Sequence, residues 1–228
     1  MSYHSQQEED VILHHKYLNY RNGTFIELGA MDGRIYSNSL FFEEDLGWNG
    51  VLIEPSNQFE QLILNRPNCY NFNYAISTVE GEVEFLGTGA LGGMTETMSE
   101  WHRKGWRLDE HPSFFVKSMP ISKIIEQTNI ERVDFFSIDV EGGELEVLKT
   151  FDWKIPVYLI LIEGDYTATE EEKKSWITNP NSNGLTVDYS YVQRINQCTE
   201  ILISNGFEFI EKIGCNEVWI NKNNRRLW

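Results

Sequence analysis

Cysteine is scarce in this chain. The three present, Cys69, Cys198 and Cys215, lie far apart and none belongs to a Cys-x-x-Cys pair, which excludes a zinc ribbon or a disulfide framework and suits a reducing compartment. Basic residues are also few. Nineteen Lys and Arg against 35 Asp and Glu leave a net charge of -16, a balance that repels phosphate backbones and anionic membrane surfaces. Neither nucleic acid nor a membrane is therefore an expected partner, and the tight basic pair Arg225-Arg226 stands in the terminal tail. No apolar run approaches the ~20 residues a bilayer-spanning helix needs. His4, Glu8, Glu9 and Asp10 occupy the region where a signal peptide would be basic and then apolar, so a cytoplasmic protein is expected. Repeats and low-complexity linkers are lacking too. With 228 residues and 41% hydrophobic content, the chain suits a single domain over residues 1–228. Nothing in it speaks to oligomeric state.

What is present is a series of short apolar runs, each followed by an acid. Phe25, Ile26 and Leu28 read as a strand buried on both faces, broken by Gly29 and Gly33. Before it, residues 6–18 read as an amphipathic helix. After it, Ser37, Asn38 and Ser39 suit the start of a helix running to Leu46. Val51-Leu52-Ile53 is a second strand, ending in Glu54-Pro55, and residues 56–65 a helix. Strands follow over Cys69 to Tyr74 and, as a small hairpin strand, Val79 to Leu86. The helix over 120–129 precedes the buried strand Val133 to Ile138, which runs into Asp139-Val140-Glu141-Gly142-Gly143-Glu144 and a further helix. Val157 to Ile162 ends in Glu163. The helix over 191–205 leads to a terminal hairpin, Phe207 to Ile213 with Cys215 to Ile220. Two stretches break the alternation: residues 87–115, rich in glycine, Met, Trp and His, read as a lid-like loop, and polar residues 167–188 as a surface insertion with a short helix near Glu170 to Ile177.

Alternating strands and helices predict an α/β fold with a mostly parallel sheet covered on both faces and a C-terminal antiparallel hairpin. In such sheets ligands bind beyond the carboxyl ends of the strands, where Asp32, Glu54, Asp139, Glu141 and Glu163 all fall. A dinucleotide site would require Gly-x-Gly-x-x-Gly after the first strand, and that spacing is missing, which argues against a nicotinamide-dependent oxidoreductase. Acids on both sides of the turn suit instead a cationic ligand with an amino acid end and a ribose, whose diol Glu54 could grip through two hydroxyl hydrogen bonds.

The stretches Ser5-Gln6 with Glu9-Asp10, Glu27-Leu28-Gly29-Ala30 with Asp32-Gly33, Ser37-Asn38-Ser39, Gly47-Trp48 with Gly50, Ile53-Glu54-Pro55 and Ser137 to Leu145 resemble the FkbM family of methyltransferases and the related Star-like domains of animals. The resemblance implies a class I methyltransferase (Rossmann-like) fold with a seven-stranded sheet, S-adenosylmethionine as cofactor, and methyl transfer to a hydroxyl, most often of a sugar, glycan or natural product. By position it places Glu27, Gly29, Ala30 and Asp32 around the methionine part, Ser37 and Asn38 on its carboxylate, Glu54 with Pro55 on the ribose, and Asn73 to Ala75 near adenine. Asp139 and Glu141 would lie nearest the transferred methyl.

A hydroxyl acceptor needs a proton acceptor, and Asp139, His102 and His111 are the candidates. Trp101 and Trp106 could stack on a sugar ring or anchor their loop to the core. Asp139, Glu141 and Glu163 would also suit Mg²⁺, a divalent metal being compatible with the set but not favoured. A non-catalytic Star-like interaction module is the alternative from another class, and the strand-end acids weigh against it.

Overall fold

A computed structural model describes residues 2–164, 171 and 189–225. Its first half runs α1 (Glu9–Lys16), β1 (Thr24–Leu28), α2 (Leu40–Leu46), β2 (Asn49–Ile53), α3 (Phe59–Asn65), β3 (Tyr70–Phe72), β4 (Ala75–Ile76), β5 (Gly81–Leu86) and β6 (Gly93–Met94). The second half adds α4 (Glu100–Gly105), β7 (Phe114–Met119), α5 (Ile121–Ile125), β8 (Val133–Ile138), α6 (Glu144–Thr150), β9 (Val157–Glu163), α7 (Tyr189–Ser204), β10 (Glu208–Ile213) and β11 (Asn216–Ile220). The surface insertion expected over residues 167–188, with its helix near Glu170, lies outside the described residues apart from the single position 171.

The doubly apolar runs do what their composition demands. β1 is parallel to both β2 and β8, with Ile26 in register with Val51 and Phe136. The full order is β10-β11-β9-β8-β1-β2-β3, seven strands of which β11 alone runs against the rest, pairing antiparallel with both β10 and β9, so this is the class I methyltransferase arrangement expected from the sequence. Alternate residues feed two cores. Phe25, Leu52 and Phe135 pack with Leu13 of α1 and with Phe41 and Phe42 of α2, while Ile26, Val51 and Phe136 pack with α5, α6 and α7 through Ile124, Leu148 and Leu202. Burying a side chain of this kind stabilises the fold by roughly 1.5–3 kcal/mol, which explains why the sheet leaves so little to chance at its centre.

The structure departs from the sequence reading in residues 75–119. The alternating strand β5 is not a free hairpin arm: with β4, β6 and β7 it builds a second sheet, ordered β4-β7-β5-β6. The stretch expected to be irregular contains β6, α4, two 3₁₀ turns and the start of β7. Two-residue strands such as β4 and β6 are too short to show a period, and the glycines of this stretch hide the helix. Among the described residues no helix is long and apolar enough to cross a membrane.

Candidate active site

The strand order reverses between β1 and β8, and a crevice opens there beyond the carboxyl ends of the strands. Gly29, at φ 73, turns the chain out of β1 and comes so near β8 that a Cβ on it would stand 2.0 Å from the carbonyl oxygen of Asp139. The N–H groups of Gly29 and Ala30 donate to the Ile53 carbonyl at 3.1 and 3.2 Å, fixing the turn against β2 as well. Four carboxylates, Glu27, Glu54, Asp139 and Glu141, line the resulting cavity, and its described lining includes no Lys, Arg or His.

These acids are held in different ways. Glu54 accepts the Met31 N–H at 2.9 Å on one oxygen and the Ser56 N–H at 2.8 Å on the other, which fixes its plane toward the cavity. Glu27 is held from within: it accepts Ser37 Oγ at 2.9 Å, the Asn38 N–H at 2.7 Å and the Ser39 hydroxyl. Behind it lies Arg66, which has no exposed surface and donates to the Gly33 carbonyl at 3.0 Å, Ser37 Oγ at 3.1 Å, Ser39 Oγ at 3.0 Å and the Glu43 carboxylate. The Ser-Asn-Ser motif thus braces the first turn. Of its members only Asn38 lines the cavity, with its Nδ2 on Ser137 Oγ at 3.0 Å and its buried Oδ1 without a partner.

Gly29, Pro55, Ala75 and the four acids line one cavity. Other residues singled out in the sequence stand elsewhere. Ala30 packs into the core beneath α2, and Asp32 accepts the N–H groups of Arg34 and Ile35 at 2.8 Å each, closing its own turn. Asn73 supports Glu54 by donating to its backbone carbonyl at 2.8 Å. His111 is exposed and outside the lining. His102 is also outside it, yet its Nδ1 lies 3.1 Å from Glu141 Oε2. Trp101 and Trp106 are 53% and 55% exposed, so neither anchors its loop to the core. Sequence reasoning missed Arg66, Met31, Tyr36, Phe85 and Met94, the last four of which wall the cavity; a single arginine at a helix end carries no local sign that it is buried.

Crowded acids without a cation hold on to protons. Burial, then Glu163 and Glu144, keeps the Asp139 carboxyl well above the usual range. Burial, then Asp139 and Glu144, pushes Glu141 up to about 8, and burial, then Glu141 and Glu144, brings Glu163 to about 7. Glu144 is raised by burial but accepts the N–H of Gly142 at 3.1 Å and of Val140 at 3.4 Å, so it closes its own loop rather than facing a ligand. Carboxylate oxygens of Asp139, Glu141 and Glu163 lie within 4.8 Å of one another, a geometry that could hold a metal ion. Glu141 Oε2 already meets His102, and the Asp139 and Glu163 carboxyls are hydrogen-bonded to each other, a contact that needs a shared proton.

The sequence model of a family described as "Methyltransferase FkbM domain" matches residues 27–209. No curated protein matches the chain. Among solved structures, M. capricolum TrmK in complex with S-adenosyl-homocysteine is similar at 9% identity and a TM-score of 0.44, over 97% of this chain and 71% of that one. Aeropyrum pernix fibrillarin with bound S-adenosyl-L-methionine is similar at 11% identity and a TM-score of 0.43, over 95% and 73%.

Proposed function

The chain belongs to the FkbM methyltransferase-domain family, and from that premise we propose that it transfers a methyl group from S-adenosylmethionine, bound beyond β1, β2 and β8, to a hydroxyl of a sugar or related small molecule. The observation that carries this reading is the cavity itself: four carboxylates and an unpartnered Asn38 Oδ1, with no cationic side chain in the described lining. Such a lining fits a ligand bearing a sulfonium and an ammonium. When bound, that ligand supplies a methyl group already activated by its positive sulfur. Glu54, held in plane by two backbone N–H groups, is suited to accept both ribose hydroxyls. Glu27 holds the first turn in shape through Ser37, Ser39 and the Asn38 N–H.

Since the donor carbon is activated, the protein's task is to align the acceptor, exclude water and take up one proton. Asp139 is the proton acceptor in this reading: of the three sequence candidates it is the one in the cavity lining. Burial and the neighbouring acids Glu163 and Glu144 favour its protonated form, and positive charge arriving beside it favours ionisation.

A labelled-methyl transfer assay over deoxysugars, oligosaccharides and phenols tests this, with turnover expected on the sugars. Asp139→Asn is expected to retain donor binding, weakened by no more than about tenfold, while kcat falls by about 10²–10⁴, the usual worth of a positioned base. Unchanged turnover would remove Asp139 from the mechanism, and transfer to phenols alone would replace the acceptor class.

A further inference from the structure

His102 ties together stretches that are distant in sequence. Its backbone N–H donates to Ser99 Oγ at 3.1 Å in the first turn of α4, its Nε2 lies 3.2 Å from the Leu91 carbonyl, and its Nδ1 lies 3.1 Å from Glu141 Oε2. A carbonyl oxygen only accepts, so Nε2 carries a proton. In the neutral ring Nδ1 is then a bare acceptor, and an ionised Glu141 opposite it would be a second acceptor. The contact therefore needs one more proton, on the carboxyl or on the ring. The two side chains are only 12% and 16% exposed, which leaves little room for water to stand in.

The surrounding charges decide where that proton sits. Glu141 faces Asp139 from the end of β8, Glu144 from α6 and Glu163 from β9, all acids. On the histidine's own helix Arg103 is turned to Asp109 and Lys104 to Glu100. Arg194 of α7 is bound to Glu146 and to the Gly142 carbonyl. The carboxyl is the favoured holder, donating to Nδ1 of a neutral ring.

Backbone packing shows what the contact holds shut. Glu141 is in the left-handed region at φ 52 and is followed by Gly142 at φ 101. A Cβ on Gly142 would stand 2.7 Å from the Thr97 carbonyl oxygen, and one on Gly93 would stand 2.8 Å from that of Glu141. β6 and the approach to α4 therefore rest directly on this turn, and Gly89, Gly92 and Met94 of the same stretch line the cavity.

We propose that His102 is a positioning residue that acts through Glu141: one proton shared by the pair clamps residues 89–105 onto the turn at Glu141–Gly142 and closes that wall of the cavity. Loss of the proton leaves two acceptors face to face, and the wall opens for ligand exchange. The clamp serves turnover only if the cavity takes the methyl donor as proposed above. For that reason it is tested on the free full-length protein, where either reading can fail without the other.

Amide hydrogen exchange over residues 92–98, corrected for the intrinsic rate, is compared at about pH 6 and about pH 9.5, either side of the Glu141 value of about 8. In the unsubstituted protein, protection is expected to fall at least about tenfold at the higher pH. Glu141→Gln offers an amide N–H to Nδ1 at every pH and should keep its protection, whereas Glu141→Ala and His102→Ala should lack it at both. If Glu141→Gln loses protection as the unsubstituted protein does, or if the alanine variants remain protected, the clamp is wrong. Should an alanine variant fail to fold, nitrogen-15 histidine spectra of the unsubstituted protein decide: a neutral His102 protonated on Nδ1 would also overturn the proposal.

Discussion

Arg66→Met is expected to destabilise the protein by about 3–5 kcal/mol, the cost of removing one partner from a buried ion pair. The guanidinium has no exposed surface, sits 5.5 Å from the centre of the Phe25 ring and meets Glu43, with Glu27 at 4.0 Å. Without it, Glu43 and Glu27 lose their buried cation and the Ser37 and Ser39 hydroxyls lose a donor. Lysine should rescue little, because a point charge cannot reach the Gly33 carbonyl, two hydroxyls and Glu43 together. Urea unfolding followed by circular dichroism measures the loss. The double variant Glu27→Gln with Arg66→Met should cost less than the sum of the two, as expected for side chains in one network. A loss below about 1 kcal/mol would show that the arginine is not the brace of the first turn.

Gly29→Ala is expected to abolish donor binding. The left-handed conformation alone costs a non-glycine residue about 1–2 kcal/mol. The added carbon would also stand 2.0 Å from the Asp139 carbonyl oxygen, which is backbone and cannot swing aside. β1 and β8 must then part where Gly29 and Asp139 both line the cavity. Gly105→Ala is the matched control: its added carbon would meet nothing within 4 Å, so a change of no more than ~1 kcal/mol is expected. Binding isotherms for both variants check the contrast, and normal affinity in Gly29→Ala would contradict the description of the turn.

The parts of the fold legible in the sequence are those governed by local rules. β1, β2, β8 and β9 announce themselves as apolar runs because both faces are buried, and the acids at their ends follow from where such sheets place ligands. The second sheet was hidden because its strands find partners across the chain: β5 pairs with β7 after an intervening helix. Roles were harder to read than positions. Ser37 and Ser39 read as ligand or capping residues, yet their hydroxyls serve Glu27 and Arg66, a partner that no local pattern reveals. The pairing of His102 with Glu141 depends on how residues 89–105 fold back, which spacing alone does not encode.

The most direct measurement is titration calorimetry of the protein with S-adenosylmethionine in two buffers of different ionisation enthalpy. The raised carboxyls of Asp139 and Glu163 hold protons that a cationic ligand must expel, so binding is expected with release of on the order of one proton. Because a lower pH refills those carboxyls, affinity should fall as the pH drops below about 7, by up to about tenfold per unit for each proton released. Glu54→Ala should weaken binding by at least about tenfold through loss of the ribose contacts. Absence of any binding heat, or identical isotherms for Glu54→Ala and the unsubstituted protein, would contradict a methyl-donor site at the carboxyl ends of β1, β2 and β8.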